Sequence, residues 1–376
     1  MIYFDNGATS YKKPKSVYKK IIYVMKKAGG NPGRSGHLMA KRASDEIFKT
    51  RVLVSEFFNI KNPQCVCFTN NATAGINFAI KGCLRENDHV IISAYEHNSV
   101  LRPVHKLSAK GITYSIAKDD RTETLEKLVK DNTKMIIFNH ISNVCGNVAD
   151  IKKIGEFARK KGIIFMVDAS QSAGHIKIDV EENNIDILAC AGHKSLFGMQ
   201  GSGILYIKEG LQLDTLIEGG TGSMSLYKLQ PDIMPDRFES GTLSTPAIAA
   251  LGAGIEFINS VGIDKVHSHI SEMSEFLYNG LKTIDSIKVY GDLETNLTSG
   301  VVGFNIGELD SEIISSLLSE EYFIMTRGGL HCSFLAHQSL GTLETGCVRV
   351  SLGFFNTLKE CEKFLDTVDR VRLKVV

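Results

Sequence analysis

Neither sign of charge dominates this chain. Across 376 residues, 43 basic side chains face 42 acidic ones, a formal net charge of +1 at pH 7. Such a balance gives no long-range pull toward nucleic acid or a membrane surface, and no basic run with interleaved aromatics supplies one locally. Long hydrophobic runs are missing too. Nowhere do about 18 or more apolar residues follow one another, so no transmembrane helix is expected. The opening MIYFDNGATSYKKPKS has no apolar stretch after a basic one, so it does not read as a secretory signal, and a cytoplasmic protein is expected. Internal repeats and low-complexity tracts are also absent. What remains is 43% hydrophobic and 23% charged, the composition of an ordinary globular protein. The length suits one large domain with a smaller companion.

Eight cysteines are scattered at 65, 67, 83, 145, 190, 332, 347 and 361. Without a secretory signal, reduced thiols are expected, most of them core filler. Cys65 and Cys67 in QCVCFTN fit alternate positions of a strand, and no second close pair completes a zinc site. The pattern along the chain then alternates. Apolar runs VCFT, HVIIS, TYSIA, KMIIFN, IIFMVDA, DILACA and GILYI are separated mostly by helical stretches such as ATAGINFAIKGCL and KKIGEFARKKG. That alternation predicts an α/β fold with a large, mainly parallel seven-stranded sheet buried on both faces. Residues 209–243 break the rhythm with a Gly-, Pro- and Ser-rich stretch of functional length. Two long helical patterns follow, then a smaller α+β section with strands near 287–290, 299–305 and 347–351. A large unit over 13–250 and a smaller one over 1–12 and 251–376 are expected.

The stretch CAGHKSLFGMQGSG, residues 190–203, places Lys194 among small residues just after an apolar strand. Lysines are usually solvated. Three readings compete: a phosphate-loop lysine, a covalent cofactor anchor, or a plain surface turn. The phosphate loop needs Gly, four residues, then Gly-Lys-Ser/Thr. Here His193 separates Gly192 from Lys194, and Ile187 stands where the first glycine belongs, which rules that reading out.

The anchor reading requires partners. Pyridoxal phosphate needs a lysine for its aldehyde, a carboxylate for its ring nitrogen, a phosphate cradle and a group covering the ring. Asp168 and Gln171 follow the strand FMVDASQ. Ala72 and Thr73 open a helix after FTNN, where backbone N–H groups hold a phosphate. His97 follows a strand in SAYEHNSV. An Asp after a strand is often only a helix cap, and a strand-end His is often structural. All of these residues nevertheless fall at carboxyl ends of strands, where open α/β sheets bind ligands.

At this point a resemblance enters. YFDNGATS, NPGRSGH, NATAGIN, EHNS, HISNVCGNV, VDASQSAGH, AGHKSLFGMQGSGILY, RFESGT, RGGLHC and VRVSLGFFNT resemble, in order from residue 3 to about 357, the motifs of pyridoxal-phosphate-dependent cysteine desulfurases, class V aminotransferases of fold type I. The resemblance implies a homodimer with sites at the subunit interface. It implies Lys194 as the cofactor anchor, His97 on the ring face and acting as a proton shuttle, Asp168 at the ring nitrogen and Gln171 at the phenolic oxygen. It implies Ala72, Thr73 and His193 at the phosphate, joined by Thr242 from the other subunit. Asn143, Arg327 and Arg349 would hold the substrate carboxylate, and Cys332 would be the nucleophile that takes sulfur as a persulfide. Ala191 departs from the pattern, since the family commonly carries Ser or Thr there. The implied reaction turns L-cysteine into L-alanine and passes sulfur to an acceptor protein, for uses such as iron–sulfur cluster assembly. The short run from Cys332 to Arg349 resembles the compact catalytic loop of the group. The alternatives are a selenocysteine lyase acting on L-selenocysteine, another class V enzyme, and for Cys332 either a buried small residue or a metal site with His331 and His337.

Overall fold

The computed structural model describes residues 1–291 and 299–375. Strands are numbered from the short β1 (Ile2–Tyr3). Among the described residues, β2 (Val66–Thr69), β3 (His89–Ser93), β4 (Thr113–Ala117), β5 (Thr133–Asn139), β6 (Ile164–Asp168), β7 (Ile187–Ala191) and β8 (Gly203–Ile207) form one sheet of order β2-β8-β7-β6-β5-β3-β4. Strand β8 runs antiparallel to both its neighbours, and every other pairing is parallel. These are the seven apolar runs of the sequence, in the mainly parallel sheet expected of them.

The pleat explains why the runs are apolar throughout. Successive side chains of a strand point to opposite faces. On β5, Ile136 and Phe138 join one apolar cluster while Met135 and Ile137 join another. Every residue of β2, β3, β7 and β8 is buried. Strand β4 is the exception to two-sided burial. It lies at the sheet edge, and its Thr113 and Ile116 are exposed.

Helix α1 (Lys15–Lys27) and helix α2 (Leu38–Phe57) precede the sheet, and α3 (Ala72–Cys83) and α4 (Asn98–Ser108) follow β2 and β3. Residues 208–244 carry no strand or helix, as the Gly-, Pro- and Ser-rich composition predicts. The two long helical patterns that follow are real. Thr245–Val261 belongs to a sheet-side cluster through Ile248, Leu251 and Ile255. At Gly262, whose φ of 92° suits glycine, the chain bends by 84° into Ile263–Lys282. That second helix packs its Val266, Ile270, Met273 and Leu277 into a separate core with Phe304, Val350 and Phe364. A three-stranded antiparallel sheet, β12-β10-β9, lies in this core, formed by β9 (Ile287–Tyr290), β10 (Val301–Ile306) and β12 (Val348–Ser351). Strand β1 pairs in parallel with β11 (Ile324–Met325), and Ile2 and Phe4 enter the same core, so the N-terminus is tied to the C-terminal part. Among the described residues no single helix is long and apolar enough to cross a membrane.

Candidate active site

A cleft of about 110 Å3 opens at the carboxyl ends of the parallel strands, where open α/β sheets bind ligands. Ala72, Thr73, His97, Asn143, Asp168, Gln171, His193 and Lys194 all line it. Thr242, Arg327, Arg349 and Cys332 do not.

The lysine stands on a turn that glycines make possible. Gly192 lies so close to Ser202 that a Cβ there would come within 2.4 Å of the serine Oγ. The turn closes through Phe197 N–H to the Lys194 carbonyl (2.9 Å) and Gly198 N–H to the Gly192 carbonyl (2.8 Å). The N-terminal segment then braces it. Ser10 Oγ donates to the Lys194 carbonyl (2.8 Å) and Lys13 Nζ to that of His193 (3.2 Å), while Thr9 Oγ1 lies 3.0 Å from His193 Nδ1. Among the described residues Lys194 has no carboxylate in ion-pair range. Burial lowers its pKa to about 8, against a smaller opposing pull from Asp168. It is therefore a lysine that releases its proton easily and has an amine free for chemistry.

Around it stand the other groups. Asn71 caps α3 by accepting from Ala74 N–H (2.9 Å), which leaves the Ala72 and Thr73 N–H groups for an anion. Strand β8 begins at Gly203, where a Cβ would meet the Asn71 backbone at 2.5 Å, so that only glycine lets the strand pass this close to the start of α3. Asp168 ends β6, and its Oδ1 accepts from both the N–H (2.9 Å) and the Oγ (2.5 Å) of Ser170, so that Oδ2 is left for a cleft partner. Gln171 Nε2 donates to the Gly7 carbonyl at 3.1 Å. His97 caps α4, its Nδ1 accepting from Ser99 N–H (3.0 Å) with Ser99 Oγ at 2.8 Å. Burial brings its pKa to about 4, so the ring is neutral and carries its proton on Nε2. Ala191 presents only a methyl group to the cleft.

The remaining residues form a rim. Arg349 is 1% exposed and donates from Nη2 to Asp5 Oδ1 (2.6 Å) and from Nη1 to the Asn143 carbonyl (3.0 Å). Its Nε has no partner. Arg327 pairs through its backbone with Arg349, and its Nη2 stands 3.8 Å from Cys332 Sγ. Cys332 alone of the eight cysteines is exposed, which removes the core-filler alternative for it. Its carbonyl accepts from Asn98 N–H at 2.7 Å, next to His97, while the preceding His331 carbonyl accepts from Asn143 Nδ2 at 2.9 Å. Both amide groups of Asn143 thus serve this turn, since Oδ1 accepts from Ser333 Oγ (2.7 Å). Thr242 is exposed, with its hydroxyl accepting from Asn31 at 3.2 Å. His331 and His337 spend their ring nitrogens on each other and on oxygen acceptors or donors, and among the described residues no three metal-binding side chains gather.

Sequence reasoning gave no role to Asp5, Glu96, Ser99 or Ser170. Glu96 is fully buried; its Oε1 accepts from Asn139 N–H (2.7 Å), and its Oε2 has no partner. Burial, aided by Asp168, drives its pKa far above the usual carboxylate range. Only the motif YFDNGATS pointed toward Asp5.

The family model described as Aminotransferase class-V matches residues 2–364. The chain belongs to the class-V aminotransferases. A probable cysteine desulfurase from Methanothermobacter thermautotrophicus is 32% identical to this class-V member over 383 residues, covering 98% of this chain and 94% of that protein. A second, from Pyrococcus abyssi, is also 32% identical, covering 99% and 94%. The apo structure of a cysteine desulfurase from Thermococcus onnurineus NA1 shares 30% identity and a TM-score of 0.92, covering 100% of this chain and 95% of that one. The family, fold and enzyme class expected from the motifs are those of its relatives.

Class-V enzymes depend on pyridoxal phosphate, and the cleft fits that group. It offers an unpaired, easily deprotonated lysine, free N–H groups at the start of α3, a carboxylate oxygen on Asp168 without a partner, and a neutral imidazole.

Proposed function

We propose that this protein is a pyridoxal-phosphate-dependent cysteine desulfurase in which Lys194 anchors the cofactor and Cys332 accepts the sulfur. One observation carries the reading: the single exposed cysteine is hydrogen-bonded through its own turn to Asn98 and Asn143, at the edge of the lysine cleft. Ala72, Thr73 and His193 would hold the phosphate, Asp168 the ring nitrogen and Gln171 the phenolic oxygen, with His97 against the ring. Bound there, the cofactor supplies an electron sink for the pair released when a substrate Cα–H bond breaks.

The chain's own groups do the rest. Lys194, with its pKa near 8, takes the Cα proton onto Nζ. Arg349 and Arg327 offer the cationic forks for the substrate carboxylate, which competes with Asp5 for the Arg349 guanidinium. The Cys332 thiolate attacks the substrate sulfur. A sulfur–sulfur bond forms and the substrate Cβ–S bond breaks. Its electron pair stays on carbon, which is protonated on the way to alanine, and Cys332 is left as a persulfide. The compact turn, followed at once by helix Phe334–Leu340, gives the persulfide little reach, which favours an acceptor protein that docks at the rim. All eight cysteines are free thiols, as a reducing compartment requires.

We further propose a homodimer in which Thr242 reaches the partner's cleft. In its support, Thr242 is exposed and does not line its own chain's cleft. Apolar side chains are also exposed on α1 and α2 (Met25 67%, Phe48 60%) and on the long loop (Leu226 98%). Sedimentation at micromolar concentration should give twice the chain mass, and a monomer would refute it.

The reaction is tested by incubating holoenzyme with L-cysteine and, separately, L-selenocysteine, following alanine together with sulfide or selenide. The wild type should release alanine from cysteine, and Cys332→Ala should lose it. Retention of cysteine cleavage by the variant would overturn the persulfide step. Cleavage of selenocysteine alone would instead support a lyase.

A further inference from the structure

Cys332 is held in an unusual backbone conformation. His331 and Cys332 have φ of 50° and 57°, left-handed values that residues with a Cβ rarely adopt and that surroundings must enforce. No glycine occupies either position. Besides the bonds from Asn98 and Asn143, the turn has the His331 ring, which points inward and is 2% exposed while the next residue's thiol faces solvent.

That ring ends a chain of hydrogen bonds whose directions follow from one another. His331 Nε2 lies 3.1 Å from the Arg327 carbonyl, which can only accept, so Nε2 carries the proton. In a neutral ring Nδ1 is then an acceptor. It faces Nε2 of His337 at 3.3 Å, and that nitrogen must therefore donate. His337 Nδ1 in turn accepts from Thr342 Oγ1 at 2.8 Å. The two rings lie nearly parallel, 10° apart in plane, and His337 has no exposed surface. Burial holds both imidazoles below their ordinary pKa. His331 also faces the Arg349 and Arg327 guanidinium groups, which disfavour a proton on it. Lowered from 6.5, both rings are neutral at pH 7, the state from which the bond directions follow.

We propose that His337 is a positioning residue for the sulfur nucleophile: by donating to His331 Nδ1 it fixes the buried ring that keeps the 331–332 turn left-handed, and so sets where Cys332 Sγ stands relative to the cleft. His337 itself touches neither cleft nor thiol. The inference rests on the reading of Cys332 as the sulfur acceptor.

The test separates the two halves of the reaction in the holoenzyme. Exchange of the L-alanine Cα proton with deuterated water needs Lys194 but not Cys332. Persulfide formed on Cys332 in a single turnover of L-cysteine, read by intact-protein mass, needs both. His337→Leu should slow persulfide formation about tenfold or more while alanine exchange stays within about twofold of wild type. His337→Gln, whose amide nitrogen can restore the donor to His331, should recover to within about threefold. Thr342→Val, which removes the hydroxyl bonded to His337 Nδ1, should slow the step by about two- to fivefold and serves as the test if His337→Leu does not fold. The proposal is overturned if His337→Leu or Thr342→Val forms persulfide at the wild-type rate, if both half-reactions fall together, or if glutamine does no better than leucine. Wild-type enzyme that exchanges alanine yet never carries sulfur on Cys332 would overturn the desulfurase reading, and this inference with it.

Discussion

Two reactive turns meet at the cleft, and they are built on different principles. The Lys194 turn is made by absence of side chains: Gly192 and Gly198 let the chain fold tightly against Ser202 and the helix after residue 244, and backbone bonds close it. The Cys332 turn is made by side chains brought from elsewhere, Asn143 and the paired histidines, which hold two residues in a conformation they would not choose. The first turn closes through local backbone bonds, with Thr9, Ser10 and Lys13 bracing it from outside. The second takes its hold from Asn98 and Asn143, far earlier in the chain.

Removing the lysine breaks the comparison most severely. Lys194→Ala should eliminate borohydride trapping of pyridoxal phosphate on the protein and lower alanine release by about a thousandfold or more, because anchor and proton acceptor vanish together. In the wild-type apoprotein the trapping rate should rise with pH through a midpoint near 8, below the ordinary lysine value, since only the neutral amine attacks an aldehyde. A midpoint near 10.5 would show that the cleft does not desolvate the amine.

A smaller effect sharpens the contrast from the rim. Asp5→Asn leaves the buried Arg349 guanidinium without its carboxylate, and unpaired buried charges cost about 3 kcal/mol. Some of that is offset because Asp5 is partly exposed, so a loss of about 2 kcal/mol in denaturant unfolding is expected. An unchanged midpoint would mean that Arg349 finds another partner.

Next in size is a matched pair of substitutions. Gly192→Ala forces a methyl group onto Ser202 and should cost about 1–3 kcal/mol of stability, weakening cofactor uptake with it. Asn143→Ala removes two hydrogen bonds to the Cys332 turn at about 1 kcal/mol each, and should slow persulfide formation more than it lowers stability. If both variants lose stability and chemistry in the same proportion, the two turns are not different in kind.

The same contrast decides what could be read from residue order. Strand ends with Asp168, His97 and Lys194 were legible because each lies within a few residues of an apolar run that ends in polar or small residues. Edge exposure of β4 was not, because TYSIA is as apolar as its neighbours and only sheet order places it outside. Asp5 could not be assigned a partner, since Arg349 lies 344 positions along. His331 and His337 are six residues apart, a spacing that puts no two side chains together on a helix or strand, and only the left-handed turn stacks them. Glu96 reads as a surface acid after a strand, but the cover of α4 and β5 buries it.

That buried acid yields the smallest expected change. A fully buried carboxylate near Asp168, without a partner on Oε2, would be costly if charged. Burial, aided by Asp168, pushes its pKa upward and so favours the protonated acid, which the amide of Gln matches in shape and charge. Glu96→Gln should therefore shift unfolding free energy by less than about 1 kcal/mol and leave cofactor trapping at Lys194 intact. Asp168→Asn on the same strand ends must behave oppositely, because there the negative charge itself is what the cofactor's ring nitrogen would meet. Loss of cofactor trapping in Glu96→Gln would place a negative charge on Glu96 after all, and would make it a second anion under the ring.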